Sequence, residues 1–234
     1  MLQYHGAFQG AIVKLYHGSS VIVEKPVFGA GKATNDYGRG FYCTENLDLA
    51  REWACPRRAD GFVNKYELPT NGLKVLDLNG PGMGVMGWLY VLITNRPVRL
   101  ASPIQEEGME WIRSKFAVET DGYDIIRGYR ADDSYFGFVR AFLENGITVG
   151  QLSRAMRLGN LGEQIMVKSQ KAFSALSFTG YEIVPWTIYN ARRLERDEAA
   201  RADFRKESSE RPSEGVYLID IVRERMERDD ARLR

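Results

Sequence analysis

The sequence predicts an α+β domain followed by a charged helical extension. Three observations predict it. Short apolar runs bounded by glycine, proline or asparagine recur between residues 12 and 183 and read as strands. Between them lie stretches whose apolar residues fall at helical spacing. After Asn190 the chain turns to Arg, Glu, Asp and Ala, which reads as a change of organisation. The expected division is a domain over residues 1–190 and a helical C-terminal extension over residues 191–234.

The elements follow in order. Ile12–His17 is a strand running into Gly18-Ser19-Ser20. Residues 21–34 hold Pro26, Gly29, Ala30, Gly31 and Thr34 and read as loop. Phe41–Thr44 is a short strand. Glu45–Ala54 is a helix with Leu47, Ala50, Trp53 and Ala54 in register, Thr44 as its N-cap and Pro56 as its stop. Phe62–Leu68 alternates as a strand, and Leu73–Leu78 is another. Met86–Asn95 is an apolar helix ended before Pro97, and Glu106–Phe116 a second helix. Tyr123–Gly128 is a buried strand. Ser134–Glu144 and Val149–Leu158 are helices separated by Asn145-Gly146. Glu163–Val167 is a strand, Gln170–Leu176 a helical turn and Ser177–Ile183 a strand. Ala191–Arg211 allows charged i,i+3 and i,i+4 pairs, and Val216–Met226 is a last amphipathic helix. Those two read either as a solvated helix with a docking helix or as a partner contact.

Composition bounds the function. A chain of 234 residues suits one domain with an extension, or two small ones. The formal net charge of +1 supplies no global field toward nucleic acid or membrane. Two cysteines, Cys43 and Cys55, make no disulfide scaffold and have no metal-ligand spacing. With no signal peptide, they lead to the expectation of a cytoplasmic protein. No apolar run approaches the roughly 20 residues of a membrane span.

Two segments carry the chemistry. Leu15-Tyr16-His17-Gly18-Ser19 ends a strand on one of only two histidines. Gly18 lets a ligand come close to the backbone, where a peptide N–H and C=O match a carboxamide. Ser19 adds a hydroxyl, and His17 can donate from one ring nitrogen to a ribose hydroxyl. Gly38-Arg39-Gly40-Phe41-Tyr42 is a glycine turn feeding an aromatic pair. Phe41 and Tyr42 alternate across a strand, so one faces core and the other cleft. Trp53 on the next helix can return to that cleft, giving flat surfaces for an aromatic ring. Ala131-Asp132-Asp133 is a further acidic cluster, readable as a helix cap, a metal site or an acceptor surface.

These segments resemble the corresponding parts of poly(ADP-ribose) polymerases and diphtheria-toxin-like transferases. The wider pattern resembles a bacterial family of transferase-like proteins long catalogued as a domain of unknown function. Its further marks are Ala50-Arg51-Glu52-Trp53-Ala54, Trp88-Leu89 with Asn95-Arg96, Tyr123-Asp124-Ile125-Ile126 with Ala131-Asp132-Asp133, and Gln164-Ile165 before Ala172 and Leu176. The likeness covers about residues 15–178. It implies a split β-sheet core, two sheets packed around an NAD cleft with peripheral helices. It implies that His17 binds ribose hydroxyls, Gly18 holds the carboxamide, and Tyr42 and Trp53 sandwich the nicotinamide, with Ser19, Gly40 and Phe41 alongside. The third signature residue falls on the Glu163–Val167 strand, as Glu163 or as Gln164. Neighbours on a strand face opposite ways, so one of the two enters the cleft.

The implied activity is mono-ADP-ribosyl transfer from NAD to a protein or nucleic-acid acceptor, with NAD as co-substrate and no metal. The same resemblance implies a toxin role beside a small antitoxin partner. NAD hydrolysis, and a degenerate fold that binds NAD or a partner without turnover, are the competing readings. The residues do not choose the acceptor; the segment with Arg157, Gly159, Asn160 and Gly162 is expected to border it.

Overall fold

The computed structural model describes residues 10–131, 136–157, 162–210, 212 and 214–233. It is α+β, with two sheets. The elements run β1 (Ile12–Ser19), β2 (Phe41–Cys43), α1 (Leu47–Ala54), β3 (Gly61–Pro69), β4 (Val75–Asp77), α2 (Gly84–Asn95), α3 (Pro103–Lys115), β5 (Ile125–Tyr129), α4 (Phe136–Leu143), α5 (Val149–Ala155), β6 (Glu163–Val167), α6 (Gln170–Ala175), β7 (Ser177–Val184), α7 (Trp186–Ser209) and α8 (Leu218–Arg223). Among the described residues no helix is long and apolar enough to cross a membrane.

The first sheet has the order β1-β3-β7 and is antiparallel throughout. The second has the order β2-β6-β5-β4; only its β4–β5 pair is parallel. The sheets meet at one antiparallel bridge, where Tyr16 and Thr44 exchange backbone hydrogen bonds of 2.8 and 2.9 Å. A core of Val13, Leu15, Cys43, Leu68, Ile125, Ile165 and Val167 fills the space between the sheets. The larger core lies on the other face of the second sheet, where Trp88, Phe138 and Phe142 pack under Ile126 and Met166.

Three elements depart from expectation. Thr44 is not the cap of α1. It extends β2 to pair with Tyr16, so the helix begins later, and the Asn46 side chain caps it by accepting from Leu49 N–H at 3.1 Å. The Thr44 hydroxyl accepts instead from the Asn46 N–H at 3.1 Å. The charged segment after Asn190 does not begin a new element; it continues α7, which starts at Trp186. That helix seats Trp186 and Tyr189 beside α1 and the first sheet. Its far end stacks Phe204 on Phe138, with ring centroids 4.0 Å apart. Finally, α8 is shorter than the expected Val216–Met226 helix, although Leu218, Ile221 and Met226 are all buried.

Candidate functional site

A cavity of about 730 Å³ opens where the two sheets diverge. That volume lies within the usual range for small-molecule sites, about 300–1,000 Å³. The end of β1 lines it with His17 and Gly18, β2 with Phe41 and Tyr42, α1 with Trp53 and β6 with Gln164. Gly40, Asp36, Arg96 and Arg130 also line it.

On the β1 wall, the Tyr16 peptide groups pair with Thr44 rather than with β3. Strand peptide groups alternate sides, so the N–H and C=O of Gly18, two residues on, leave β1 on that same free edge. The glycine itself is demanded by packing. A Cβ there would clash with the Ala50 carbonyl and lie 2.6 Å from Ala54 N and 2.8 Å from Trp53 Cβ. The room a glycine creates at residue 18 is therefore taken by α1, not left for a ligand.

His17 Nδ1 lies 2.7 Å from the Tyr42 carbonyl oxygen. A carbonyl only accepts, so Nδ1 carries the hydrogen and Nε2 is an acceptor. Burial pushes the imidazole pKa below its ordinary value, against the smaller opposing effect of that hydrogen bond. The donor expected to serve a ribose hydroxyl is thus already committed, and a ribose hydroxyl would donate to Nε2 instead. The Phe41 ring braces the imidazole, centroids 4.5 Å apart.

Ser19 does not line the cavity. Its hydroxyl donates to Val21 O at 2.5 Å and accepts from Asn64 Nδ2 at 2.9 Å. Asn64, fully buried on β3, also donates to His17 O at 3.2 Å and accepts from Val23 N–H at 2.7 Å. It pins the segment after β1 to the sheet. The sequence signal for it was an asparagine within an otherwise alternating apolar strand, a polar group that burial tolerates only when satisfied.

The opposite wall is built from side chains. The Tyr42 hydroxyl donates to Gly38 O at 2.7 Å and accepts from Tyr37 N–H at 3.0 Å. Burial holds this phenol well above its ordinary pKa, so it stays neutral. Gly38 takes a φ of +86°, the left-handed turn that its position requires. Phe41 and Tyr42 both reach the cavity, contrary to the expected division, at the start of the short β2 strand. Trp53 carries the Arg130 guanidinium over its ring at 4.6 Å. Its indole N–H is buried with no hydrogen-bond partner among the described residues.

Of the two candidates on β6, Gln164 enters the cavity and Glu163 does not. Glu163 lies on the other face of the strand, ion-paired with Arg127 and accepting from Asn79 Nδ2 at 2.7 Å. The Gln164 amide donates to Asp36 Oδ2 at 2.8 Å and to Tyr129 O at 3.4 Å. Asp36 in turn accepts from Ala131 N–H at 2.9 Å and from Arg96 at 3.0 Å. Tyr129 O also accepts from Trp88 Nε1 at 2.9 Å and from the Tyr37 hydroxyl. Sequence reasoning missed Asp36, whose partners lie far along the chain. Asp132, Asp133, Gly159 and Asn160 fall outside the described residues.

The arrangement offers a neutral acceptor at His17, free edge groups at Gly18, aromatic faces at Tyr42 and Trp53, and a fixed amide at Gln164. Such a set suits a hydroxylated ring joined to a flat one. The family model described as "Protein of unknown function (DUF3990)" matches residues 13–178, more than half of the chain. No curated protein and no solved structure matches it.

Proposed function

The chain belongs to this family of unknown function, and we propose that it is an NAD-dependent mono-ADP-ribosyltransferase with the cavity between the sheets as its NAD cleft. The observation that carries the reading is convergence. His17-Gly18, Tyr42 and Gln164 lie far apart in the chain, match the transferase signature in order, and line one cavity. The two sheets joined at one bridge are compatible with the split β-sheet of those enzymes.

On this reading the Gly18 peptide group receives the carboxamide, and the ring stacks on Tyr42 and Trp53. His17 Nε2 accepts from a ribose hydroxyl. The bond between ribose C1′ and the nicotinamide nitrogen breaks, and its electron pair leaves with nicotinamide. The sugar passes through an oxocarbenium-like state. The Gln164 carbonyl oxygen accepts from the neighbouring 2′-hydroxyl and stabilises that charge. An acceptor nucleophile then bonds to C1′ and releases its proton. Glutamine cannot take that proton, so the acceptor must be nucleophilic by itself, and the product is a single ADP-ribose rather than a polymer. The neutrality of Gln164 also favours a second reading, NAD binding without turnover.

Incubation of a lysate with labelled NAD and either wild-type or His17→Ala protein tests the proposal. Label on macromolecules with the wild type alone is expected, and nuclease or protease sensitivity then names the acceptor class. NAD binding with no nicotinamide release from any lysate would replace transfer with the second reading. The implied toxin role predicts growth arrest on expression, relieved by His17→Ala.

A further inference from the structure

Asp36 is a buried carboxylate on the cavity wall that the steps above do not use. It lies just before β2, yet all its described polar partners come from elsewhere in the chain. Arg96 follows α2, the Ala131 N–H follows β5, and Gln164 is on β6. One oxygen faces Arg96; the other takes both Ala131 N–H and the Gln164 amide.

A carboxylate oxygen only accepts hydrogen bonds, and so does the Tyr129 carbonyl. The Gln164 atom that meets both must therefore be its nitrogen. Turned over, the amide would set its oxygen against two acceptors and leave buried groups unpaired. With nitrogen at the wall, the carbonyl oxygen is the atom of the amide left for the cavity. A glutamate at the same place would put a second carboxylate where the amide now lies 2.8 Å from Asp36, and two carboxylates that close do not both ionise readily.

We infer that Asp36 is a positioning residue: it fixes the Gln164 amide with its carbonyl oxygen toward the cavity, and its charge is the reason residue 164 is glutamine rather than glutamate. Its part in turnover rests on the transferase reading; the orientation of Gln164 does not. The charged third residue of the signature is thereby divided between two side chains. Asp36 holds the charge at the wall, paired with Arg96, and Gln164 presents a neutral acceptor to the ligand.

Two measurements on the full chain test this. The first needs no NAD. The Gln164 side-chain NH₂ resonances, assigned by their loss in Gln164→Ala, are followed for hydrogen exchange in the wild type and in Asp36→Asn. Exchange about tenfold faster or more in the variant is expected once the carboxylate anchor is gone. Unchanged exchange overturns the orientation.

The second is nicotinamide release at fixed neutral pH. Asp36→Asn is expected to lower kcat by about tenfold or more while KM for NAD stays within about threefold. It should add nothing in a Gln164→Ala background. Gln164→Glu should fall below the wild type, and adding Asp36→Asn to it should restore activity. A loss that adds in full to that of Gln164→Ala, or a Gln164→Glu variant as active as the wild type, overturns the positioning role. If the wild type neither binds nor cleaves NAD, the transferase reading falls, and the exchange measurement alone decides whether Asp36 orients Gln164. Should Asp36→Asn not fold, the Gln164→Glu arm still decides, since residue 164 is changed with Asp36 intact.

Discussion

The two walls of the cavity are fixed in different ways. On the β1 wall the backbone does most of the positioning: Gly18 is pressed against α1, and the groups offered to the cavity are peptide edges and the His17 imidazole, itself held by the Tyr42 carbonyl. On the β6 wall side chains do it: Asp36, Gln164, Arg96, Tyr37, Tyr129 and Trp88 form one polar network. A backbone wall tolerates almost no change of volume, because the atoms it meets cannot move aside. A side-chain wall tolerates volume better but depends on every donor having its acceptor. Packing failure and hydrogen-bond failure should therefore separate along the line between the sheets.

The sharpest break is expected at Gly18. Gly18→Ala drives a Cβ into the α1 backbone and should cost about 3 kcal/mol or more by overpacking. Thermal unfolding would read this, and a fall of less than a degree would show that α1 yields. On the opposite wall, Gln164→Leu should cost about 1–3 kcal/mol, because it strips a donor from a buried carboxylate. Denaturant unfolding would measure it, and Asp36→Asn in the same chain should recover part of the loss.

A third test reads the pH dependence of the β1 wall. Burial lowers the His17 pKa, so below about 6.5 the unfolded chain binds a proton that the folded chain resists. The contribution of neutral His17 is therefore complete above that pH and is lost as pH falls through it toward the lowered folded value. Unfolding curves at pH 7.5 and 5.5 should show a decrease that His17→Gln reduces. An identical slope in the variant would remove His17 as its source. The smallest effects belong to the two candidates that lie outside the cavity. Ser19→Ala and Glu163→Gln should each cost about 1 kcal/mol or less and leave NAD affinity within about twofold. A larger loss of affinity at Glu163 would reverse the facing of β6.

The difference between the walls also separates what the sequence made legible from what it did not. Strand β6 was legible to the residue, because a short apolar run, Ile165-Met166-Val167, bounded by Gly162 and Ser169 is a local signal. That His17 and Tyr42 converge with a residue at the start of β6 was legible through the order of short motifs, but the choice of Gln164 over Glu163 was not. The packing demand for glycine at residue 18 was not legible, since a glycine that admits a helix looks the same in sequence as one that admits a ligand. Ser19 looked like a ligand group because its partner, Asn64, lies on the paired strand. Asp36 was invisible for a related reason. Within Asn35-Asp36-Tyr37-Gly38 it reads as a turn residue, and only the fold brings Arg96, Ala131 and Gln164 to it. Thr44 lost its expected cap role to the bridge that joins the sheets.

That bridge and the strand orders have a consequence for synthesis. Residues near the start of the chain make one wall of the cavity, while Gln164 and the β6 strand that also pairs with β2 emerge long after them. The first sheet is completed later still, by β7 at Ser177–Val184. A ribosome-bound chain therefore carries His17 and Tyr42 with no closed pocket around them until β6 has emerged. Whatever ligand the pocket takes finds no closed site until β6 and β7 have left the exit tunnel.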